Sequence, residues 1–192
     1  TSLQEVLGAH RFKKAATIVK KAFGLDILSF DRWLPMLFIN QMTVAVLEQD
    51  FKKPLDMSLW DRAEAMGLEL GGLETISDQK RILKSLDLNH QIRMLKGILK
   101  DVKAFRRQTL KTVNLFVEGE LHELYQRSKR DLGPLKEVLI YSRNYTMCRS
   151  FQERHKSGPC VAAVGGGHFA GKHGLVTLLR QAGMTVRPLN FR

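Results

Sequence analysis

The chain has 192 residues, enough for one domain with a real core or for one and a half. With 44% hydrophobic and 26% charged residues it reads as globular rather than disordered, and no apolar run approaches the roughly 18 residues that a membrane span needs. A net charge of +12 favours acidic partners, nucleic acid or anionic lipid, through encounter and solubility.

Thr1 is not followed by a basic-then-apolar leader, so a signal peptide is expected to be absent from these residues. Cys148 and Cys160 lack the spacing of a zinc ribbon. One disulfide or two buried thiols both remain open.

In chain order, Phe12, Ala15, Ala16, Val19, Ala22 and Phe23 recur at helical spacing up to Gly24, and His10 reads as a surface histidine. Asp31 is expected to cap a second helix through Trp33, Leu37 and Val44 to Leu47, with Pro35 in its first turn. A third helix is expected over Leu55 to Met66, broken by Gly67. Leu68 to Thr75 is a short strand candidate that ends beside the cap residues Ser77 and Asp78. Glu74, at the end of that strand, is a candidate site carboxylate or a solvated loop residue.

From Asp87 to Tyr125 little interrupts a helix except Gly97 and Gly119. Ile98, Val102, Phe105, Thr109, Thr112 and Phe116 form one buried stripe, and Lys96, Lys100, Lys103, Arg107 and Lys111 mark the opposing face. That face carries no interleaved aromatics for base stacking, so it reads as solvated and nucleic acid is disfavoured. After Gly133-Pro134 a further helix runs from about Leu135 to His155 and carries Arg143 and Asn144 among apolar positions. Arg143 can reach an anion with its planar fork or form a structural ion pair.

Near the C-terminus, Val161 to Val164 reads as a buried strand that breaks into Gly165-Gly166-Gly167-His168-Phe169-Ala170-Gly171 before the helical pattern of Leu175 to Leu179. Strand, glycine loop and helix would place His168 where open sheets bind ligands. Met184 to Leu189 reads as a last strand. Gly166-x4-Gly171-Lys172 also matches a P-loop as far as the lysine. The next residue is His173 rather than Ser or Thr, and no acidic residue follows, so the nucleotide reading is disfavoured.

This glycine block, with Gly174-Leu175, Leu178-Leu179 and Gly183, resembles the TraB/GumN family, which includes the Tiki proteases. Phe169 stands in place of the family's leucine and Met184 in place of its aromatic residue. Asp56, Gly72-Leu73-Glu74-Thr75 with Gln79, Gly119-Glu120-Leu121 and Arg143-Asn144 match further upstream in the right order. The resemblance implies a metal site built on two Gly-x-x-His motifs and an acidic residue. Gly165-x-x-His168 looks like the second motif, and nothing here looks like the first, which belongs to N-terminal strands.

The expected architecture is therefore α/β, mostly helical with a small mixed sheet, an EreA/ChaN/Tiki-like core lacking its N-terminal strands. Residues 1–192 form one domain, with 1–50 a helical lead-in and 51–192 the matching part. The implied function is a metal-dependent hydrolase, a peptidase in type, of bacterial and extracytoplasmic origin, with a cytoplasmic setting as the alternative. His168 is the metal ligand, Glu74 and Arg143 are the catalytic candidates, and Gly165, Gly166 and Gly167 line the site.

A divalent metal is expected, held weakly by this chain alone because His168 and Glu74 lack a third ligand. Glu74 and His168 should line one cleft within about 10 Å of each other. Arg143 should reach a carboxylate or carbonyl on the glycine-loop side. A missing N-terminal segment or a second chain should complete the sheet. The alternative function is a non-enzymatic module that recognises an anionic ligand or peptide.

Overall fold

Helices supply all the regular structure of residues 2–47 and 53–189, the part of the chain that the computed structural model describes. The chain divides into two compact units, Thr1–Asp50 with Leu86–Asn114 and Phe51–Ser85 with Leu115–Arg192. The expected 50/51 boundary lies outside the described residues.

In the first unit, α1 (Leu3–Leu7) opens with a capping box between Ser2 and Glu5. α2 (Ala9–Phe23) buries Phe12, Ala15, Val19 and Phe23 along one face and ends at Gly24, whose φ of 71° closes the helix. α3 (Pro35–Val46) starts on Pro35 and buries Phe38, Ile39, Met42 and Val46. Asp31 does not cap it. A 3₁₀ turn over Ile27–Phe30 intervenes, Leu34 is the N-cap, and the Asp31 carboxylate instead accepts from the backbone N–H of Gln4.

α6 (Leu88–Lys100) is capped by Asp87, which accepts from the His90 N–H at 2.6 Å. Its buried Gln91 accepts from the Met36 N–H at 3.1 Å, so the amide satisfies a free donor of the first turn of α3.

The long helix expected from Asp87 to Tyr125 is three helices: α6, α7 (Val102–Val117) and α8 (Leu121–Leu132). Asp101 leaves helical geometry and accepts from the Ala104 N–H, and Gly119 takes a φ of 75°. These breaks rotate the apolar stripe. Ile98, Val102 and Phe105 pack on the first unit's core as expected, whereas Phe116 is exposed and Leu115 is buried. The basic residues Lys96, Lys100, Lys103, Arg107 and Lys111 are all solvated.

The second unit corrects the expected fold class. No strand exists among the described residues, so there is no mixed sheet, and no sheet edge for another segment to complete. Leu68 to Thr75, Val161 to Val164 and Met184 to Leu189 carry strand-like residues, but a strand is defined by a backbone ladder to a neighbour and none of the three has one.

Side chains fasten two of these stretches instead. Leu73 and Val164 pack against Met147, Cys148, Leu175 and Leu178, which come from α9 (Ser142–Ser157) and α10 (Leu175–Gln181). α10 ends in a Schellman motif, with Met184 N–H donating to the Leu179 carbonyl and Gly183 N–H to that of Arg180. The same unit contains α4 (Leu55–Ala65), which ends before Gly67 and buries no side chain, and α5 (Ile76–Ser85).

Candidate functional site

The glycine block folds as a compact loop against α8 and α9. A 3₁₀ turn, Gly166–His168, begins it, with the His168 N–H donating to the Gly165 carbonyl at 3.0 Å. The Gly171 carbonyl accepts from Thr177 Oγ1 at 2.9 Å and from the Gly174 N–H at 3.0 Å, which closes the loop onto α10.

Two glycines are required by contact. Gly171 has a φ of 85° and any Cβ there would collide with the Tyr125 ring. A Cβ at Gly174 would strike the carbonyls of Phe169 and Ala170. The first three glycines differ from these. Gly166 lies under Phe116 and Leu124 with a Cβ position 3.3–3.4 Å away, while at Gly165 and Gly167 a Cβ would meet only ordinary contacts.

His168 is buried, 9% exposed, and its Nδ1 lies 2.6 Å from Asn144 Oδ1. Burial above all pushes its pKa down to about 4, the Arg143 charge acts in the same direction, and Glu74 opposes both. The imidazole is therefore neutral at physiological pH, the state in which it binds metals or accepts protons.

Glu74 and Arg143, 69 residues apart in sequence, form a bidentate pair. Arg143 Nε donates to Glu74 Oε1 at 2.9 Å and Nη2 to Oε2 at 2.7 Å, while Nη1 donates to the Leu139 carbonyl at 3.3 Å. The Glu74 side chain is only 7% exposed and its carboxylate is committed to the guanidinium. Arg154 sits over Gly71 and donates to the Gly72 carbonyl, so two arginines of α9 fasten the segment that carries Glu74. At the end of that segment Thr75 caps α5 and is itself bonded by Asp78.

α9 links residues singled out in the sequence: its Arg143 binds Glu74, and the adjacent Asn144 binds His168 of the glycine loop.

Sequence reasoning missed the aromatic half of the site. All three tyrosines of the chain surround this loop. Tyr125 packs on Gly171, Tyr141 stacks on His173 with ring centroids 4.4 Å apart, and Tyr145 Oη lies 3.0 Å from His173 Nδ1. Tyr125 and Tyr141 share a hydroxyl contact of 3.4 Å, and that contact together with burial pushes the Tyr141 pKa up to about 12.

The signal was present in sequence, since Tyr141, Asn144, Tyr145 and Cys148 recur at i, i+3, i+4 and i+7 on one face of a helix. A π-helical turn, Glu137–Tyr141, immediately precedes α9, and such widened turns recur at functional sites. Cys148 and Cys160 are free thiols, and burial pushes the Cys148 thiol pKa up.

As a metal centre the set is incomplete. No group of three or more His, Cys, Asp or Glu side chains stands together in a metal-binding arrangement among the described residues. His168 offers one donor, and the Glu74 oxygens face Arg143.

Comparison with known sequences places the chain in a family. The TraB/PrgY/gumN family matches residues 1–188, nearly the whole chain. The chain belongs to that family. Two curated relatives are similar to it. Metalloprotease TIKI2 of Danio rerio is 25% identical over 182 residues, which is 79% of this chain and 35% of that protein. Metalloprotease TIKI1 of Danio rerio is 27% identical over 183 residues, 79% of this chain and 37% of that protein. The chain therefore spans about a third of the length of these relatives. No solved structure matches it significantly. The family match also takes in the N-terminal helices of the first unit. Among the described residues no helix is long and apolar enough to cross a membrane.

Proposed function

We propose that this chain contributes His168 to the metal centre of a TraB/PrgY/gumN-type hydrolase, a peptidase in type. The observation that carries the reading is the buried, neutral imidazole at the end of the glycine loop, held there by a packed helix rather than left on a solvated surface. The metalloprotease names of the two relatives support it. The remaining metal donors, on this reading, come from sequence outside these 192 residues. A divalent ion in such a centre supplies a Lewis acid and a water of lowered pKa. This chain's own residues hold the imidazole in place, and the Glu74–Arg143 pair sets the local charge beside it. Extracytoplasmic placement belongs to the same proposal and is checked by fractionating cells that express the natural protein.

The test uses the natural full-length protein that contains this sequence. Its divalent metal content and its cleavage of an unstructured peptide are compared with those of His168→Ala. The expected result is a stoichiometric ion and peptide cleavage, both lost in the variant. Equal metal content in both proteins would refute the assignment.

The second reading is a binding module for an anionic ligand or peptide. The closed Glu74–Arg143 pair favours it, because a carboxylate engaged by a guanidinium is a poor general base. A full-length protein that binds peptide without metal and without cleaving it would establish that alternative.

A further inference from the structure

Asn144 is the one fully buried amide among the described residues of the second unit, and every polar atom of its side chain is spent on the glycine loop. Its Nδ2 donates to the His173 carbonyl at 2.6 Å and to the His168 carbonyl at 3.2 Å. Both amide hydrogens are thereby used, and one nitrogen ties together two points of the loop five residues apart. The atom left to face His168 Nδ1, at 2.6 Å, is Oδ1. A flipped amide would set its oxygen against two carbonyl oxygens, so the orientation is decided by the network.

An amide oxygen only accepts, so the proton in that short bond belongs to His168 Nδ1. A neutral imidazole has one N–H, which leaves the lone pair on Nε2. Nε2 has no hydrogen-bond partner among the described residues. No side-chain nitrogen or oxygen there is both buried and unpartnered, so Nε2 reaches the solvent.

We propose that Asn144 is the positioning residue of this site: its amide locks His168 in the Nδ1–H tautomer and presents Nε2 as the reactive nitrogen of the ring. The use to which Nε2 is put rests on the metal reading above. The locking itself does not. An asparagine present only to satisfy two backbone carbonyls would need its donors alone. The short contact from its oxygen to Nδ1 is the additional feature, and it resembles the outer hydrogen bond that orients metal-ligating histidines in general.

The test is ring-nitrogen NMR on selectively histidine-labelled protein, at a pH where His168 is neutral. The wild-type spectrum alone is decisive: His168 is expected almost wholly as Nδ1–H, and a predominantly Nε2–H ring would overturn the proposal.

In Asn144→Ala the ring should relax toward the tautomer mixture of exposed His10. Thr177→Ala loosens the same loop by removing the bond to the Gly171 carbonyl and should leave the tautomer unchanged. An unchanged tautomer in folded Asn144→Ala, or an equal shift in Thr177→Ala, would reduce Asn144 to a structural role. Should Asn144→Ala fail to fold, the wild-type tautomer still decides.

In the metal-loaded full-length protein, Asn144→Ala should weaken metal affinity about 10- to 100-fold. A locked tautomer in a protein that binds no metal supports Asn144 as the positioning residue and sinks the metal reading instead.

Discussion

The two units of this chain close on different interiors. The first buries Leu3, Leu7, Phe12, Val19, Phe38, Met42 and Leu95 in one apolar core, with Phe23 and Phe105 edge-to-face at 5.9 Å and Gln91 as a bridging amide. The second has a smaller apolar cluster of Met147, Cys148, Leu175 and Leu178, and beside it buries Asn144 and His168 and partly buries the Glu74–Arg143 pair.

Burial of apolar area is non-directional and tolerates variation in detail. A network of buried polar groups is directional and costs free energy wherever one member is missing. The first unit closes on apolar burial, and the second adds a directional polar network around a neutral imidazole.

The largest expected effect tests the apolar side of this contrast. Phe38→Ala empties a fully buried position in the first unit and should cost about 3–5 kcal/mol in denaturant unfolding. A loss below 1 kcal/mol would mean that the core is looser than its packing indicates.

Gly171→Ala tests the second unit by shape. The positive φ and the Tyr125 ring together should cost about 2–4 kcal/mol, read as a lowered Tm. Gly167→Ala, where a Cβ meets only Ser128 Oγ at 3.7 Å, should cost far less, which separates the packed glycines of the loop from the roomy ones.

Glu74→Gln leaves the Arg143 guanidinium without its carboxylate and should cost roughly 1–3 kcal/mol, the upper part of the range being softened by the partial exposure of Arg143. It should also lower the His168 pKa further, because Glu74 is the group that raises it. An upward shift in the histidine titration would contradict the electrostatics.

The same histidine sets a pH dependence. Its folded pKa of about 4 lies below its ordinary value of 6.5, so between these values the unfolded chain binds the extra proton. Stability should be full above about pH 6.5 and fall as the pH drops toward 4. His168→Gln should flatten that part of the curve, and an unchanged curve would show that other groups dominate it.

Tyr141 should be the last tyrosine to ionise in a near-ultraviolet absorbance titration, near its raised pKa of about 12. Tyr125→Phe should bring that step down.

The smallest effect is expected at Trp60, on a helix that buries nothing. Trp60→Ala should change stability by less than about 0.5 kcal/mol. A larger loss would show that α4 packs on something.

Much of this was legible one helix at a time. The spacing of Phe12, Ala15, Val19 and Phe23 specified both the face and the end of α2, because side chains three and four apart share a side within a single turn. The break at Asp101 was hidden, since aspartate is compatible with helix and only its bond to the Ala104 N–H turns it into a new start. The glycine block, His168, Glu74 and Arg143 each stand out in the sequence, whereas the bidentate bond between Glu74 and Arg143 joins residues 69 apart and has no local signal. Tyr125 and His173 were passed over, because nothing local says that a tyrosine will lie against a glycine 46 residues later.

By itself, then, the sequence determined the face of α2, the glycine stops at Gly24 and Gly67, and the block that marks the family. The tertiary structure decided the rest. Val161 to Val164 has the composition of a buried strand, yet a strand exists only where a distant segment offers a matching ladder; none does among the described residues, Val161 is fully exposed, and only Val164 packs against the helices. The protonated nitrogen of His168 is likewise set by Asn144, 24 residues away in sequence. Periodicity is written within one turn of a helix, whereas pairing partners and proton positions depend on which remote groups the fold brings together.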